Sequence, residues 1–170
     1  MEKPTVIFIC MFNSVRSQMA EGLLRSRCAG KYSVFSAGLA PAGLNPYAVR
    51  VMKEAGIDIS QQRSKSLSSF SNRTFDHVVT LCNQVACAAP HSIPQGASLH
   101  HRGFVSPSEF QKDKDEIIQE YRKLRDQIDA WITEIFPNCP TAICSSDPEE
   151  SKDLSKGPVG VQNSASHQSL

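Results

Sequence analysis

Short apolar runs recur along the chain and predict four β-strands. Two are strong: residues 5–10, which read Thr-Val-Ile-Phe-Ile-Cys, and residues 77–82, a β-branched and apolar run that also ends in cysteine. Weaker runs cover 32–36 and 97–101. Because helical patterns separate these runs, we predict an α/β fold with an open, mostly parallel four-stranded sheet and right-handed crossovers.

Apolar residues at helical spacing predict three helices that flank the sheet. The first covers 17–28, and the second runs from Pro46, which suits a first helical turn, to Gly56. The longest covers about 107–136 and is stopped by Pro137. These helices supply the apolar faces that would cover the strands.

The chain divides into one domain and a tail. Residues 138–170 contain serine, proline, glycine and charged residues but few apolar ones, so we expect a disordered tail. Residues 1–137 would form the domain, since a chain of 170 residues with 40% hydrophobic content can bury a core of ordinary size.

Composition argues against several classes of function. The net charge of +1 and the lack of a basic stripe give no reason to expect nucleic acid as a partner. No apolar segment approaches the roughly 20 residues that span a bilayer, and the first residues lack a signal-peptide core, so we expect a cytoplasmic protein with no membrane association. His100 and His101 are too isolated to indicate a metal site, and no metal or cofactor is expected. In a reducing compartment, six cysteines favour catalytic, redox-active or incidental roles over structural disulfides.

A cysteine and an arginine frame the loop after the first strand. Five residues separate Cys10 from Arg16, and Ser17 opens the next helix. Such a loop can direct several backbone N–H groups and one guanidinium at a tetrahedral oxyanion, while the helix N-terminus adds positive potential. The same field favours the nucleophilic thiolate of Cys10, whereas the alternative is an inert buried cysteine. The predicted oxyanion-binding residues are Met11, Phe12, Asn13, Ser14, Val15, Arg16 and Ser17.

A second cysteine, Cys82, closes the third predicted strand. The carboxyl ends of parallel strands lie at one edge of a sheet, so Cys10 and Cys82 would share that edge if strands one and three are neighbours. The alternatives for Cys82 and Cys87 are a core residue and a loop bystander, or half of a metal site. A single Cys-x4-Cys pair is weak support for a metal.

Five segments carry a family resemblance: Cys10 to Glu21, Ser36-Ala37-Gly38, Asn45-Pro46, Gly56 to Ser60, and Val78 to Cys82. Together they resemble the thioredoxin-coupled arsenate reductases of the low-molecular-weight protein tyrosine phosphatase superfamily, over roughly residues 4 to 136. The Cys-x5-Arg-Ser loop is common to the superfamily. Its continuation as Gln-Met-Ala-Glu and the cysteine after Val-Val-Thr-Leu favour the reductases.

This resemblance implies a phosphatase-like fold and a relay of three cysteines. Cys10 would attack an arsenate or phosphate oxyanion held by Arg16 and the loop amides, giving a thiol-arsenate adduct in the case of arsenate. Cys82 would then attack Cys10, release arsenite and leave a disulfide. Cys87 is the candidate third cysteine, with thioredoxin as the final reductant, and residues 83–86 would have to be mobile. The three thiols carry a buried oxidation outward by successive exchange.

One departure from the superfamily pattern concerns the general acid. Relatives place Asp before Pro ahead of the last long helix, whereas Ser106 precedes Pro107 here. Ser106 and Glu109 instead read as a capping box at the start of that helix. Since general acid catalysis contributes about 10²- to 10⁴-fold, we expect feeble phosphatase activity.

Two further departures concern the outer thiol and a cation site. Cys87 follows Cys82 at a shorter spacing than the family suggests, and Cys139 or Cys144 is an alternative outer thiol if the tail folds back. The simpler interpretation is that both are unpaired tail residues. Some relatives bind a monovalent cation near the positions of Asn13, Glu21 and Ser36. In this chain Lys65 occupies a position where those relatives can have an acidic ligand. Its ammonium would either replace the cation or be a solvated surface charge. No bound potassium is expected.

Two other functions stay open at this stage. A low-molecular-weight protein tyrosine phosphatase would explain the loop but not Cys82. A catalytically weakened module that binds an oxyanion or phosphopeptide would explain Ser106, but such a module has no use for the nucleophile Cys10.

Overall fold

The computed structural model of the chain describes residues 2–88, 93–107 and 113–139. Within these ranges four strands form one sheet in the order β2-β1-β3-β4, and every neighbouring pair is parallel. The strands are β1 (Thr5–Cys10), β2 (Ser33–Gly38), β3 (Phe75–Thr80) and β4 (Gly96–His101). The predicted α/β class is confirmed, and strands one and three are neighbours, which is the condition for Cys10 and Cys82 to share one edge. β3 begins and ends two residues before the predicted 77–82, so Cys82 lies just beyond the strand.

Among the described residues, four α-helices lie between and after these strands. They are α1 (Arg16–Arg27), α2 (Pro46–Glu54), α3 (Asn83–Ala88) and α4 (Lys114–Ile135), with one 3₁₀ turn at Leu67–Phe70. α2 begins at Pro46, as predicted, because Asn45 caps the helix by accepting from the N–H groups of Tyr47 and Ala48. α3 was not predicted, since six residues are too short to show a helical repeat.

The start of α4 differs from the prediction. Asp113 is its N-cap, and its carboxylate accepts from the backbone N–H groups of Asp115 (3.0 Å) and Glu116 (2.8 Å). The proposed capping box at Ser106 is therefore wrong, while Glu109 lies outside the described residues. Asp113 caps the helix better because it offers a carboxylate to the positive helix terminus, followed by two more acidic residues in the first turn.

The core is built around β1 and α1, where α1 packs on β1 and β2 and α4 packs against α1 and α2. Every residue of β1 from Val6 to Cys10 is buried, and α1 is buried along most of its length. α1 contacts α4, and this interface includes an ion pair between the buried Arg27 and Asp129. Thr133 accepts from the same guanidinium. A buried guanidinium needs such partners, so these contacts fix how the two helices pack.

The last described residue contradicts one interpretation of the tail. Cys139 is buried and forms a disulfide with Cys28, which follows α1, across a Cα–Cα distance of 5.2 Å. Cys139 is thus not an unpaired tail residue, and this pair is an exception to the expectation against structural disulfides. A separation of 111 residues hides the contact from local sequence patterns. Residues 140–170, including Cys144, lie outside the described residues, and no described helix has the length and apolarity to cross a membrane.

Two histidines stack on neighbouring strands. His77 Nδ1 lies 3.4 Å from His100 Nε2, and Phe136 contacts both rings. Partial burial lowers the pKa of both histidines; the charge of His77 lowers that of His100 further, while Asp76 partly opposes the shift of His77. The folded state therefore prefers both rings neutral.

This pair predicts how stability depends on pH. The unfolded chain binds protons near the ordinary value of 6.5, while the folded chain binds them at lower pH. The pair's contribution to stability is therefore full above pH 6.5 and is lost as the pH falls through the lowered pKa values. In urea unfolding between pH 7.5 and 5, a His77→Gln/His100→Gln variant should lose less stability than the wild type. His101→Gln, which keeps the pair, is the control, and equal losses in all three proteins would contradict the assignment.

Candidate active site

The loop between β1 and α1 brings the nucleophile to the start of a helix. Cys10 is the last residue of β1, and α1 begins at Arg16. The sulfur of the buried Cys10 lies 3.0 Å from the Ser17 hydroxyl, in the first turn of α1. A hydroxyl at this distance can donate to a thiolate and stabilise its charge. This contact agrees with the role that the sequence analysis gives to the loop.

Asn13 holds the loop in shape. Its φ of 44° is in the left-handed region, which asparagine tolerates better than most residues. Its buried side-chain amide donates to the hydroxyls of Ser17 (2.7 Å) and Ser36 (2.9 Å), and its carbonyl oxygen accepts from the backbone N–H of Lys65 (2.7 Å) and from Gln18. One side chain thus connects the loop to α1, β2 and the 60–66 segment.

The N-terminus of α1 carries no side-chain cap. Val15 is the N-cap residue, and no side chain hydrogen-bonds to the first turn at this described end, whereas Asn45 and Asp113 cap α2 and α4. Ser14 contributes its carbonyl, which accepts from the Asn45 N–H (3.2 Å). The first N–H groups of a helix need partners, and an oxyanion can supply them. Ser14 and Ser17, whose hydroxyls are the other possible caps in this sequence, do not cap α1.

Gly38 lets β2 approach the loop. A Cβ at this position would lie 2.7 Å from the N–H nitrogen of Asn13 and 2.9 Å from the Met11 carbonyl oxygen. Real Cβ atoms do not come this close to backbone atoms, so any side chain here would displace the loop. The Ser-Ala-Gly segment therefore serves the loop through its lack of a side chain.

Arg16 connects the loop to the segment after β4. The buried guanidinium donates from Nη1 to the Phe104 carbonyl (2.9 Å). It also lines a cleft of about 450 Å³, whose wall includes Phe12, Cys82 and Ser106. The predicted nucleophile loop, second cysteine and acid-loop position thus converge on one cleft, and Ser106 brings no carboxylate to it.

Cys82 is held beside the nucleophile strand. Ile9 pairs with Thr80, and the N–H of Leu81 donates to the Ile9 carbonyl (2.9 Å), so Cys82 is two residues past the last β1–β3 pair. Cys10 and Cys82 are each only 2% exposed, and both are free thiols. The sheet therefore carries both sulfurs to the same edge.

Cys87 lies on α3, which begins directly after Cys82. The segment 83–86, which the relay was expected to need as a mobile link, is helical, and the N–H of Ala86 donates to the Cys82 carbonyl (3.4 Å). Cys139, the alternative outer thiol, is bonded to Cys28 beyond the opposite end of α1. The structure thus separates Cys139 from the cleft.

Sequence reasoning missed a polar connection beside Cys82. His101 ends β4; its Nδ1 lies 2.7 Å from the Thr80 hydroxyl and its Nε2 lies 3.2 Å from the Asn83 side-chain oxygen. The Asn83 side chain packs against Gly103, where a Cβ would clash with it. These contacts hold both flanks of Leu81-Cys82. The sequence signal for this connection is the histidine at the end of the predicted strand 97–101, which is the neighbour of the strand that precedes Cys82.

A buried carboxylate lies behind the loop. Glu21 accepts from the Ser36 hydroxyl and pairs with Arg25 (2.7 Å) and with the Lys65 ammonium (3.5 Å). The ammonium also donates to the Arg63 carbonyl (2.8 Å). Lys65 is therefore not a freely solvated surface charge, and its charge lies beside the carboxylate of the proposed cation position.

The ion pair between Lys65 and Glu21 predicts a loss of stability on substitution. Lys65→Met should lower the free energy of unfolding by on the order of 1 kcal/mol, because the buried carboxylate loses one of its two cationic neighbours. Urea unfolding measures the change, with Lys123→Met on the exposed face of α4 as the matched control. Equal denaturation midpoints for the two variants would contradict the assignment.

Comparison with known proteins identifies the family. The model of the low molecular weight phosphotyrosine protein phosphatase family matches residues 5–139, so the chain belongs to that family. Arsenate reductase 1 of Staphylococcus epidermidis is 43% identical over 122 residues, which cover 69% of this chain and 92% of the relative. The arsenate reductase of Bacillus licheniformis is 39% identical over 128 residues, covering 75% and 91%. Within the family the chain therefore belongs with the proteins named arsenate reductase.

Solved structures agree with this grouping. An arsenate reductase in the phosphate binding state is 31% identical with a TM-score of 0.64, and one in the oxidized state is 30% identical with a TM-score of 0.68. Each alignment covers 79% of this chain and 98% of the other. A thioredoxin-dependent arsenate reductase of Corynebacterium glutamicum is 27% identical with a TM-score of 0.55, covering 80% of this chain and 63% of that one.

Proposed function

We propose that the protein is an arsenate reductase that uses Cys10 as the nucleophile, Cys82 as the second cysteine and Cys87 as the third. The observation that carries the proposal is a second free cysteine, Cys82, which lines the same cleft as Arg16 and follows the strand paired with that of Cys10. A phosphatase needs only the nucleophile and an acid. A reductase needs a second thiol to take up the oxidation.

The loop between β1 and α1 binds the substrate oxyanion. The N–H groups of residues 11–17 surround the oxyanion, and Arg16 neutralises its charge from the cleft. Support comes from the uncapped N-terminus of α1 and from the position of the guanidinium, which its bond to Phe104 holds in place. The related arsenate reductase has a structure in a phosphate binding state, so that protein binds a tetrahedral oxyanion.

The redox steps balance through sulfur. The Cys10 thiolate attacks arsenic, so a sulfur–arsenic bond forms and one arsenic–oxygen bond breaks, and the departing hydroxyl takes up a proton from the solvent and leaves as water. The Cys82 thiolate then attacks the Cys10 sulfur, and the electron pair of the sulfur–arsenic bond stays on arsenic, which leaves as arsenite. The product is a Cys10–Cys82 disulfide, in which two sulfurs have been oxidised and arsenic has been reduced by two electrons.

A buried disulfide then has to reach a protein reductant. Cys10 and Cys82 are both buried, so we assign to Cys87 the attack on Cys82, which releases the Cys10 thiolate and leaves a Cys82–Cys87 disulfide. Because 83–86 is helical, this step requires the first turn of α3 to open. We propose thioredoxin, in the cytoplasm, as the dithiol that reduces this disulfide. Phe12 and Val105, which are 49% and 87% exposed, line the cleft and give a protein partner apolar surface to contact.

The relay predicts three different outcomes for three cysteine variants. With arsenate, thioredoxin, thioredoxin reductase and NADPH, Cys10→Ser and Cys82→Ser should abolish NADPH oxidation and arsenite formation. Cys87→Ser should stop after one turnover with a Cys10–Cys82 disulfide, identified by peptide mass mapping. Cys144→Ser is the matched control and should keep wild-type turnover. Full activity in Cys87→Ser, with loss in Cys144→Ser, would move the third role to Cys144.

The acid position predicts the balance between reductase and phosphatase activity. Ser106→Asp should raise hydrolysis of an aryl phosphate by about 10²-fold, because it supplies the missing proton donor beside the cleft. Ser106→Asn has nearly the same shape but no acid, and should stay at the wild-type rate. Wild-type hydrolysis as fast as that of an ordinary low-molecular-weight phosphatase would favour the phosphatase function instead.

A further inference from the structure

We propose that the Cys28–Cys139 disulfide, which joins the end of α1 to the segment after α4, is a lasting cross-link that is separate from the relay and resists the reductant that recycles the enzyme. The contrast with the relay depends on the proposed function, but the cross-link itself does not. Its two cysteines are 3% and 5% exposed, and their Cα atoms lie 5.2 Å apart, a spacing that suits a disulfide.

The chain holds these two cysteines together through contacts other than the bond. Cys28 follows α1, and its carbonyl accepts from the N–H of Lys31 (2.8 Å). The Lys31 ammonium donates to the Asn138 carbonyl (2.8 Å), and the N–H of Cys139 donates to the Phe136 carbonyl (3.2 Å). The residues on either side of the bond are thus tied together when the thiols are reduced.

Two larger contacts support the same junction. The Tyr32 and Phe136 rings meet edge to face, with centroids 5.3 Å apart. Arg27, the last residue of α1 and directly before Cys28, is buried and donates to Asp129 and Thr133 in the last two turns of α4. Groups that a fold holds this close react as if highly concentrated, so the folded chain favours the disulfide over two separate thiols.

The cross-link lies far from the relay. α1 has 12 residues and is therefore about 18 Å long, with Ser17 beside Cys10 near one end and Cys28 just past the other. β1 and α1 run in opposite directions along the layer, so Cys28 lies near the edge where β1 begins and where the N–H of Ser33 donates to the Pro4 carbonyl (2.9 Å). Direct exchange between the two cysteine pairs is excluded by this separation.

Formation requires an oxidant of the small-molecule disulfide class, such as glutathione disulfide. One thiolate of the pair attacks that disulfide and releases one small thiol, leaving a mixed disulfide on the protein. The second thiolate attacks the protein sulfur of this mixed disulfide and releases the other small thiol. The two cysteines lose two protons and two electrons, and the oxidant leaves as two thiols.

Burial accounts for the resistance to thioredoxin. Reduction begins when a thiolate attacks one sulfur of the bond, and both cysteines of this bond are enclosed by the α1–α4 junction. Attack therefore waits for the segment from Phe136 to Cys139 to open locally. The relay disulfide differs, because Cys87 is assigned to carry it out of the cleft.

Thiol counting in the full chain tests the proposal. The protein is incubated in its native state with glutathione disulfide, then with thioredoxin, thioredoxin reductase and NADPH, and is alkylated in guanidinium without further reductant. Of the six cysteines, four should be alkylated, and peptide mapping should find Cys28 joined to Cys139. Reduction in guanidinium before alkylation should raise the count to six. Six alkylated cysteines after the native treatment alone would overturn the proposal.

Two variants test whether the disulfide stabilises the fold and whether its burial slows its reduction. Cys28→Ser/Cys139→Ser should lower the Tm by roughly 10 °C, since it releases a closed loop of more than a hundred residues, and its Tm should no longer respond to reductant. Its arsenate turnover well below the Tm should match the wild type, so failure of the relay would show separately. Phe136→Ala, which keeps both cysteines, should speed native reduction at least tenfold. An unchanged Tm in the first variant, or an unchanged reduction rate in the second, would contradict the cross-link or its shielding.

Discussion

The conformation of the loop after β1 rests on the side chain of Asn13. Its backbone adopts the left-handed conformation, and its amide group bonds to α1, β2 and the segment that contains Lys65. The bond from Asn13 to the Ser17 hydroxyl holds that hydroxyl beside the sulfur of Cys10. Because the amide is buried, replacing it would leave several polar groups without partners, which is costly in a packed interior. These buried hydrogen bonds therefore preorganise the loop that we propose as the oxyanion site.

The parallel sheet adds the second requirement of the chemistry. Pairing of β1 with β3 carries Cys10 and Cys82 to one edge, and Arg16 reaches the cleft there through its bond to Phe104. Ser106 occupies the rim without a carboxylate. The described lining of the cleft contains no carboxylate, so the proposed site is better suited to transfer of electrons between sulfurs than to protonating an ester leaving group. Under the proposed function, the second thiol and the serine at the acid position both favour reduction over ester hydrolysis.

Local sequence patterns predict most of the fold and the loop, but they do not predict the contacts between segments that are distant in the sequence. The Cys10–Arg16 spacing and the strand runs are short-range signals, and the structure agrees with them. The helix start at Asp113 was missed because Ser106 offered a competing cap signal, and the six-residue α3 was missed because it is too short for a helical repeat. The Cys28–Cys139 bond joins residues that are 111 positions apart in the sequence. Only the packing of α4 against α1 in the structure reveals this contact.

The proposed reductase must reduce arsenate with electrons from its own thiols. In a single-turnover reaction, fully reduced protein is mixed with excess arsenate in the absence of any other reductant, and arsenite and remaining thiols are counted after an acid quench. We expect one arsenite for each protein molecule and the loss of two thiols from the set Cys10, Cys82 and Cys87. Arsenite absent from the quenched mixture, with the thiol count unchanged, would contradict it.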